Sequence, residues 1–156
     1  MVWPQDSLCN ISEQTNALFE KARANAFNRR APLDSIDLLI ALAEVRPTVV
    51  HNFFYMKDIT PQAIKQTASK FGLYEKKSKT SRRGQIHPDA ILALGYAFAH
   101  MATEIPLGAF TTPKLLRSLC YSPSHDSQRI NFSPEYRGGL VNCLVWVPPP
   151  TSQQSY

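Results

Sequence analysis

The chain has 156 residues, 44% of them hydrophobic and 19% charged, with a formal net charge of +5. That length fits one domain with a core of its own, and that composition belongs to globular proteins rather than to disordered or membrane ones. No apolar run reaches the length of a membrane span. The opening "MVWPQDSLCN" has neither the basic and apolar regions of a secretory signal nor the Arg- and Ser-rich character of a transit peptide, so the expected location is cytoplasmic.

Apolar periodicity then gives the elements in chain order. A first helix is predicted over 12–28, with Leu18, Phe19, Ala22, Ala26 and Phe27 as its stripe. "NRRAPLD" is a turn broken by Pro32. In "DSIDLLIALAE" (34–44), Ile36, Leu39, Ile40 and Ala43 recur at helical spacing; Asp34 can cap this helix, and Leu33 and Leu38 can staple across the cap. Thr48 can cap a short helix in "RPTVVHNFFYMKD". Thr60 followed by Pro61 opens another, lined by Ile64, Ala68 and Phe71 and stopped by Gly72.

"YEKKSKTSRRGQ" (74–85) sets Lys76, Lys77, Lys79, Arg82 and Arg83 against the single acid Glu75. With Ser, Thr and Gly between the charges, it reads as a basic linker. A helix follows over "IHPDAILALGYAFAHM" (86–101), with Ile91, Leu94, Phe98 and Met101 as its stripe, and Thr112 and Pro113 open the Leu-rich helix of "TPKLLRSLCY". Residues 122–139 are polar and irregular. The segment 140–147 has the composition of a strand, bounded by Gly138 and Gly139 before and by Pro148 to Pro150 after, and is predicted as an irregular or extended segment.

The order is long helix, loop, Leu-rich helix, given twice across a linker. The fold class expected is all-α, a tandem pseudo-symmetric helical repeat. Its parts are an arm at 1–11, a first repeat at 12–73, the linker at 74–86, a second repeat at 87–132 and a C-terminal extension at 133–156. Predicted core residues are Leu39, Phe53, Leu94, Phe98 and Leu116.

Three stretches, "LFEKARANA" (18–26), "IDLLIALAE" (36–44) and "IHPDAILALGYAFAHM" (86–101), resemble the Clp N-terminal domain, the double-repeat helical module of the Clp/Hsp100 unfoldases. The resemblance covers roughly 12–120. It implies a protein-binding module without ATPase chemistry, because no Gly-x-x-x-x-Gly-Lys-Ser/Thr phosphate loop occurs. It departs where the family has Glu-His before its Leu pair: Ile36-Asp37 and Pro113-Lys114 stand there. The phosphoarginine recognition of some family members, which uses those glutamates, is therefore not carried over.

Cys9, Cys120 and Cys143 are scattered, and His51, His87, His100 and His125 lack ligand spacing, so neither a disulfide framework nor a metal is expected. Ser124, His125 and Asp126 are adjacent in sequence, whereas a catalytic triad converges in space. Glu13, Glu20, Glu44 and Glu104 read as solvated helix faces. The expected role is non-enzymatic and without cofactor. It is an adaptor or accessory domain binding a Clp ATPase, its protease core, an adaptor or a substrate peptide. The alternatives are a fragment or degenerate relative of a Clp/Hsp100 ATPase, and a small helical nucleic-acid-binding protein using residues 76–83. Matched to the family's third helix, "HNFFYM" has Phe53 and Met56 inward and Phe54 and Tyr55 outward as docking residues, with Trp146 as the further candidate; the alternatives are a helix buried on a wider face and a register shifted by one residue.

Overall fold

The computed structural model describes residues 10–11, 13–46, 48–74, 85–103, 109–120 and 137–145. Those residues are mostly helical. Two short strands, β1 (Asn10–Ile11) and β2 (Ala109–Phe110), join helices α1 (Glu13–Arg29), α2 (Ser35–Glu44), α3 (Val49–Met56), α4 (Pro61–Lys70), α5 (Pro88–Ala102), α6 (Thr112–Leu119) and α7 (Arg137–Val145).

The centre of the fold is α2. Every residue from Ser35 to Ala43 is buried, and a helix that is apolar on nearly all sides must be covered on all sides. Helices α1, α3, α4, α5, α6 and α7 all pack on it. Its start is fixed by a capping box. The Asp34 carboxylate accepts from the backbone N–H of Ile36 at 3.0 Å, and the Asp37 carboxylate accepts from that of Asp34 at 2.9 Å. Leu33 and Leu38, on either side of the cap, are both buried.

Thr48 and Thr60 cap α3 and α4 through their hydroxyls, at 2.9 Å to the N–H of His51 and 3.0 Å to that of Ala63. For α6 the N-cap is Thr111, one residue ahead of the expected Thr112. Three helices end alike, with a residue in the left-handed region and a backbone bond reaching back five residues. These residues are Arg30 (φ 58°) after α1, Asp58 (φ 57°) after α3 and Gly72 (φ 70°) after α4. The bonds are Ala31 N–H to Ala26 C=O, Ile59 N–H to Phe54 C=O and Leu73 N–H to Ala68 C=O.

Two parallel backbone pairings tie the early helices to the late ones. Ile11, ahead of α1, pairs with Phe110, ahead of α6. Leu33, ahead of α2, pairs with Ile86, ahead of α5. The Thr15 hydroxyl of α1 donates to the Phe110 carbonyl at 2.9 Å. The Phe110 ring fills the space between Phe19 (5.5 Å between centroids) and Phe98 (4.5 Å).

Of the expected core, Leu39 is fully buried and Leu94 is buried. Phe98 and Leu116 are half-buried against the core, and Leu115 takes the fully buried position on α6. Ile91, expected in the α5 stripe, is exposed; Ala90, Ala93 and Ala97 form the buried seam instead, with Leu94 and Met101. The small alanines let α5 lie close to its neighbours.

The expected extended segment at 140–147 is corrected: residues 137–145 form the helix α7. Its Leu140, Val141 and Val145 are fully buried, and packing against α2 and α6 outweighs the strand-like preference of its residues. Both described ends of the expected linker, 74–86, make contacts with the helices. Tyr74 lies beneath the Arg29 guanidinium, 4.1 Å from it; the Leu33 N–H donates to the Gln85 carbonyl and the His87 N–H donates to the Leu33 carbonyl, both at 2.8 Å. The basic residues Lys76, Lys77, Lys79, Arg82 and Arg83 lie outside the described residues, as do Cys9, Glu104, Ser124, His125, Asp126 and Trp146.

Candidate functional site

Among the described residues, the outer face of α3 exposes the most open large apolar side chains. A helix turns about 100° per residue. In α3 that places Val50 and Phe54 on the inner side and Val49, Asn52, Tyr55 and Met56 on the outer side. The exposures follow this division: Phe54 is 1% exposed, while Val49 is 72%, Tyr55 78% and Met56 83% exposed. Phe53 lies between the two sides and is half-buried, its ring centroid 6.0 Å from that of Phe54.

The sequence assignment is therefore corrected by one position. Phe54, expected outward, is the buried anchor of α3, and Phe53, expected as core, sits at its edge. Tyr55 is outward. Met56, expected inward with Phe53, is exposed instead, and Val49, to which the sequence reading gave no place, is exposed as well. Periodicity could have found them, since Val49, Asn52 and Met56 recur at helical spacing, but four consecutive apolar or aromatic residues hid the register.

Beside Tyr55 lies a groove of about 470 Å³, between the end of α2 and the start of α4. Phe54, His51 and Tyr55 line one wall, Glu44 and Lys21 another, and Pro61 its far end. The His51 Nδ1 donates to the Ala43 carbonyl at 2.9 Å, which satisfies an end carbonyl of α2 and fixes the ring. Glu44 accepts from Asn25 at 3.1 Å, with Lys21 at 4.0 Å. The groove thus offers an aromatic wall with a mixed-charge rim. A second hollow of about 320 Å³ lies where Phe27, 52% exposed, faces Gln85 and Ile86.

A cluster of charges sits elsewhere, where the starts of α2, α5 and α7 meet. Arg137 grips Asp34 with two bonds, Nε to Oδ1 at 2.7 Å and Nη2 to Oδ2 at 2.8 Å, and reaches Asp89 at 3.2 Å. Burial works against the Asp34 charge, but the Arg137 bonds and the Ile36 N–H win and hold its carboxyl below the ordinary value of 3.8. Asp37 shows the opposite balance. Its burial outweighs the pull of its ion-pair partner Arg29 and raises its carboxyl above 3.8. Burial, and the neighbouring Asp37 carboxylate, push the Tyr74 phenol up to about 12. Asp34, Asp89 and Arg137 are spent on one another, and their arrangement is that of a clamp between helices. No short-range signal marked it, because Arg137 and Asp34 stand far apart in the chain.

Among the described residues, no group of three or more His, Cys, Asp or Glu could hold a metal ion. Among them, too, no helix is long and apolar enough to cross a membrane. Compared with known proteins, the chain matches no family model and no curated sequence.

Proposed function

We propose that this chain is a non-enzymatic protein-binding domain, built as a tandem helical repeat of the Clp N-terminal kind and acting as an adaptor or accessory to a Clp-type chaperone or protease. The observation that carries the binding role is the outer face of α3. Exposed Tyr55 lines a groove with His51 and Phe54, and a large aromatic over a hollow is the form of a docking anchor.

The repeat is supported by three matched sets of positions. One constant offset carries the buried residues of α1 onto those of α5: Thr15 onto Ala90, Leu18 onto Ala93, Phe19 onto Leu94, Ala22 onto Ala97 and Ala26 onto Met101. A second carries Leu38, Leu42 and Ala43 of α2 onto Leu115, Leu119 and Cys120. A third carries Val50, His51 and Phe54 of α3 onto Val141, Asn142 and Val145 of α7. The polar pair keeps its task across that last step. His51 bonds the Ala43 carbonyl, and Asn142 donates to the carbonyl of Cys120, the residue matched to Ala43, at 2.6 Å. The two parallel pairings, Ile11 with Phe110 and Leu33 with Ile86, exchange places under the same correspondence.

The test uses the full chain and two probes, a fluorescein-labelled polypeptide kept unfolded by reduction and carboxymethylation, and a purified Clp-type ATPase ring. The wild type binds at least one of them, and Tyr55→Ser weakens that binding about tenfold or more while leaving the melting temperature unchanged. Absence of binding to both probes, or binding that Tyr55→Ser leaves intact, refutes the reading.

A further inference from the structure

We propose that the groove beside α3 takes an extended segment of the partner protein with an acidic residue at one end, a large apolar residue in the middle and a basic residue at the other end. The inference rests on the docking role given to Tyr55 and names the chemistry of what docks there.

The groove follows one flank of α3. Among the residues that line it, His51, Phe54, Tyr55 and Asp58 recur at the spacing of one helix side, with Asp58 just past the end of the helix. Tyr55 stands open midway along. The two ends carry opposite charges. Arg46 precedes the N-cap Thr48 by two residues, and Asp58 follows the C-cap Lys57. Both line the groove and both are exposed, and among the described residues neither side chain has an ion pair or a hydrogen bond. The other two charges on the rim, Lys21 and Glu44, lie 4.0 Å apart and offset each other. Lys57, next to Asp58 in the chain, is engaged elsewhere: its ammonium donates to the Val145 carbonyl at 2.9 Å.

The separation of Arg46 and Asp58 sets the spacing of the charges in the segment that fits. The eight residues of α3 span about 12 Å, and an extended chain advances about 3.3 Å per residue. An acid and a base about four residues apart therefore face Arg46 and Asp58 together, and the apolar residue between them falls at Tyr55. A helical segment does not match, because four residues of helix advance only about 6 Å. Exposed charge pairs add little affinity, but opposite charges at fixed ends select the partner and the direction in which it lies, since the wrong pattern sets like charges against each other.

The experiment uses the full chain and three peptides, each acetylated, amidated and labelled with an uncharged fluorophore: Glu-Ala-Phe-Ala-Lys, Glu-Ala-Phe-Ala-Glu and Lys-Ala-Phe-Ala-Lys. By fluorescence polarisation the wild type should bind the mixed peptide several-fold more tightly than the other two, with a margin that shrinks as salt is raised. Arg46→Glu makes both ends of the groove acidic and should move the preference to the doubly basic peptide. Asp58→Asn keeps a side chain that tolerates the left-handed backbone at that position and should let the doubly acidic peptide bind as well as the mixed one. A wild type that binds none of the three, or that does not rank the mixed peptide first, overturns the proposal, and so does a ranking that neither variant changes. If Tyr55→Ser abolishes binding while the ranking ignores Arg46 and Asp58, the charge pattern is overturned and the docking role of Tyr55 stands.

Discussion

Side by side in α3, Phe54 and Tyr55 have opposite fates, and the difference is a quarter-turn of helix. Phe54 is held among the core residues, so Phe54→Ala should cost about 3–5 kcal/mol, the usual toll for an emptied aromatic site. Tyr55→Ala should stay within about 0.5 kcal/mol, as an exposed residue does. Urea unfolding of the two variants checks this; equal losses would mean that Tyr55 is also core and that the α3 face is not free for docking. Much at this scale was legible in the sequence. Asp34, Thr48 and Thr60 announce their helices because a capping oxygen acts within three residues of itself. The phase of "HNFFYM" was not legible, because burial is decided by α2 and α6, which lie outside the window that periodicity reads. The left-handed Arg30 and Asp58 were equally hidden, since neither is the glycine that usually marks such a position.

At the scale of the element, α7 is the one whose local sequence misleads. It opens on two glycines and continues with β-branched residues, a poor helix by propensity. Its fold comes from contacts made far along the chain: Arg137 to Asp34 and Asp89 at its start, Asn142 to the Cys120 carbonyl in its middle, and Lys57 to the Val145 carbonyl at its end. Arg137→Lys keeps the charge but cannot make the two-pronged grip. It should destabilise the chain by about 1–3 kcal/mol at neutral pH, the range for a buried charged hydrogen bond lost. The pH dependence has a definite sign. Asp34 has its carboxyl lowered in the folded chain, so its contribution is present above 3.8 and is lost as pH falls through the lower folded value. The gap between wild type and Arg137→Lys should therefore narrow as pH drops below 3.8. Asp37, with its carboxyl raised, contributes oppositely: its share is present in acid and is lost as pH rises through its folded value. Because Asp37 is common to both proteins, it cancels in the comparison. Urea midpoints for the pair at about pH 7, 5 and 3 measure the gap. One that is constant with pH would mean that Arg137 acts by packing, not by its bond to Asp34.

For the whole molecule, the governing fact is that neither end of the chain owns a core. Helix α2 packs against α1, α3 and α4 of the earlier half and against α5, α6 and α7 of the later one, and Phe110 from the later half fills the space beside Phe19 of the earlier one. The later half also differs in kind. Under the proposed repeat, Pro113 and Arg117 of α6 match Ile36 and Ile40 of α2, and both are exposed. Where α2 is fully enclosed, with α4 among the helices that pack on it, α6 presents a polar side. The order of long and Leu-rich helices could be read from the sequence because each helix carries its own stripe. That two units with one apolar face each would bury those faces on each other was also expected; the paired strands and which buried seam meets which could not be read, because they rest on contacts far apart in the chain. A cut between the halves tests that closure directly. A protease site placed within residues 75–84, and cleaved after folding, leaves fragments that share one core. They should stay associated through gel filtration, keep the helical signal of the uncut chain and melt in a single transition. That transition should move to higher temperature as concentration rises, because association is now part of folding. Each fragment purified alone should lose most of its helicity, since separation strips α2 of its later neighbours and leaves α5 and α6 without a partner for their buried seams. A fragment that keeps its helices alone, or a nicked protein that comes apart under native conditions, would mean that the halves are independent units and that the shared core is not what holds the fold together.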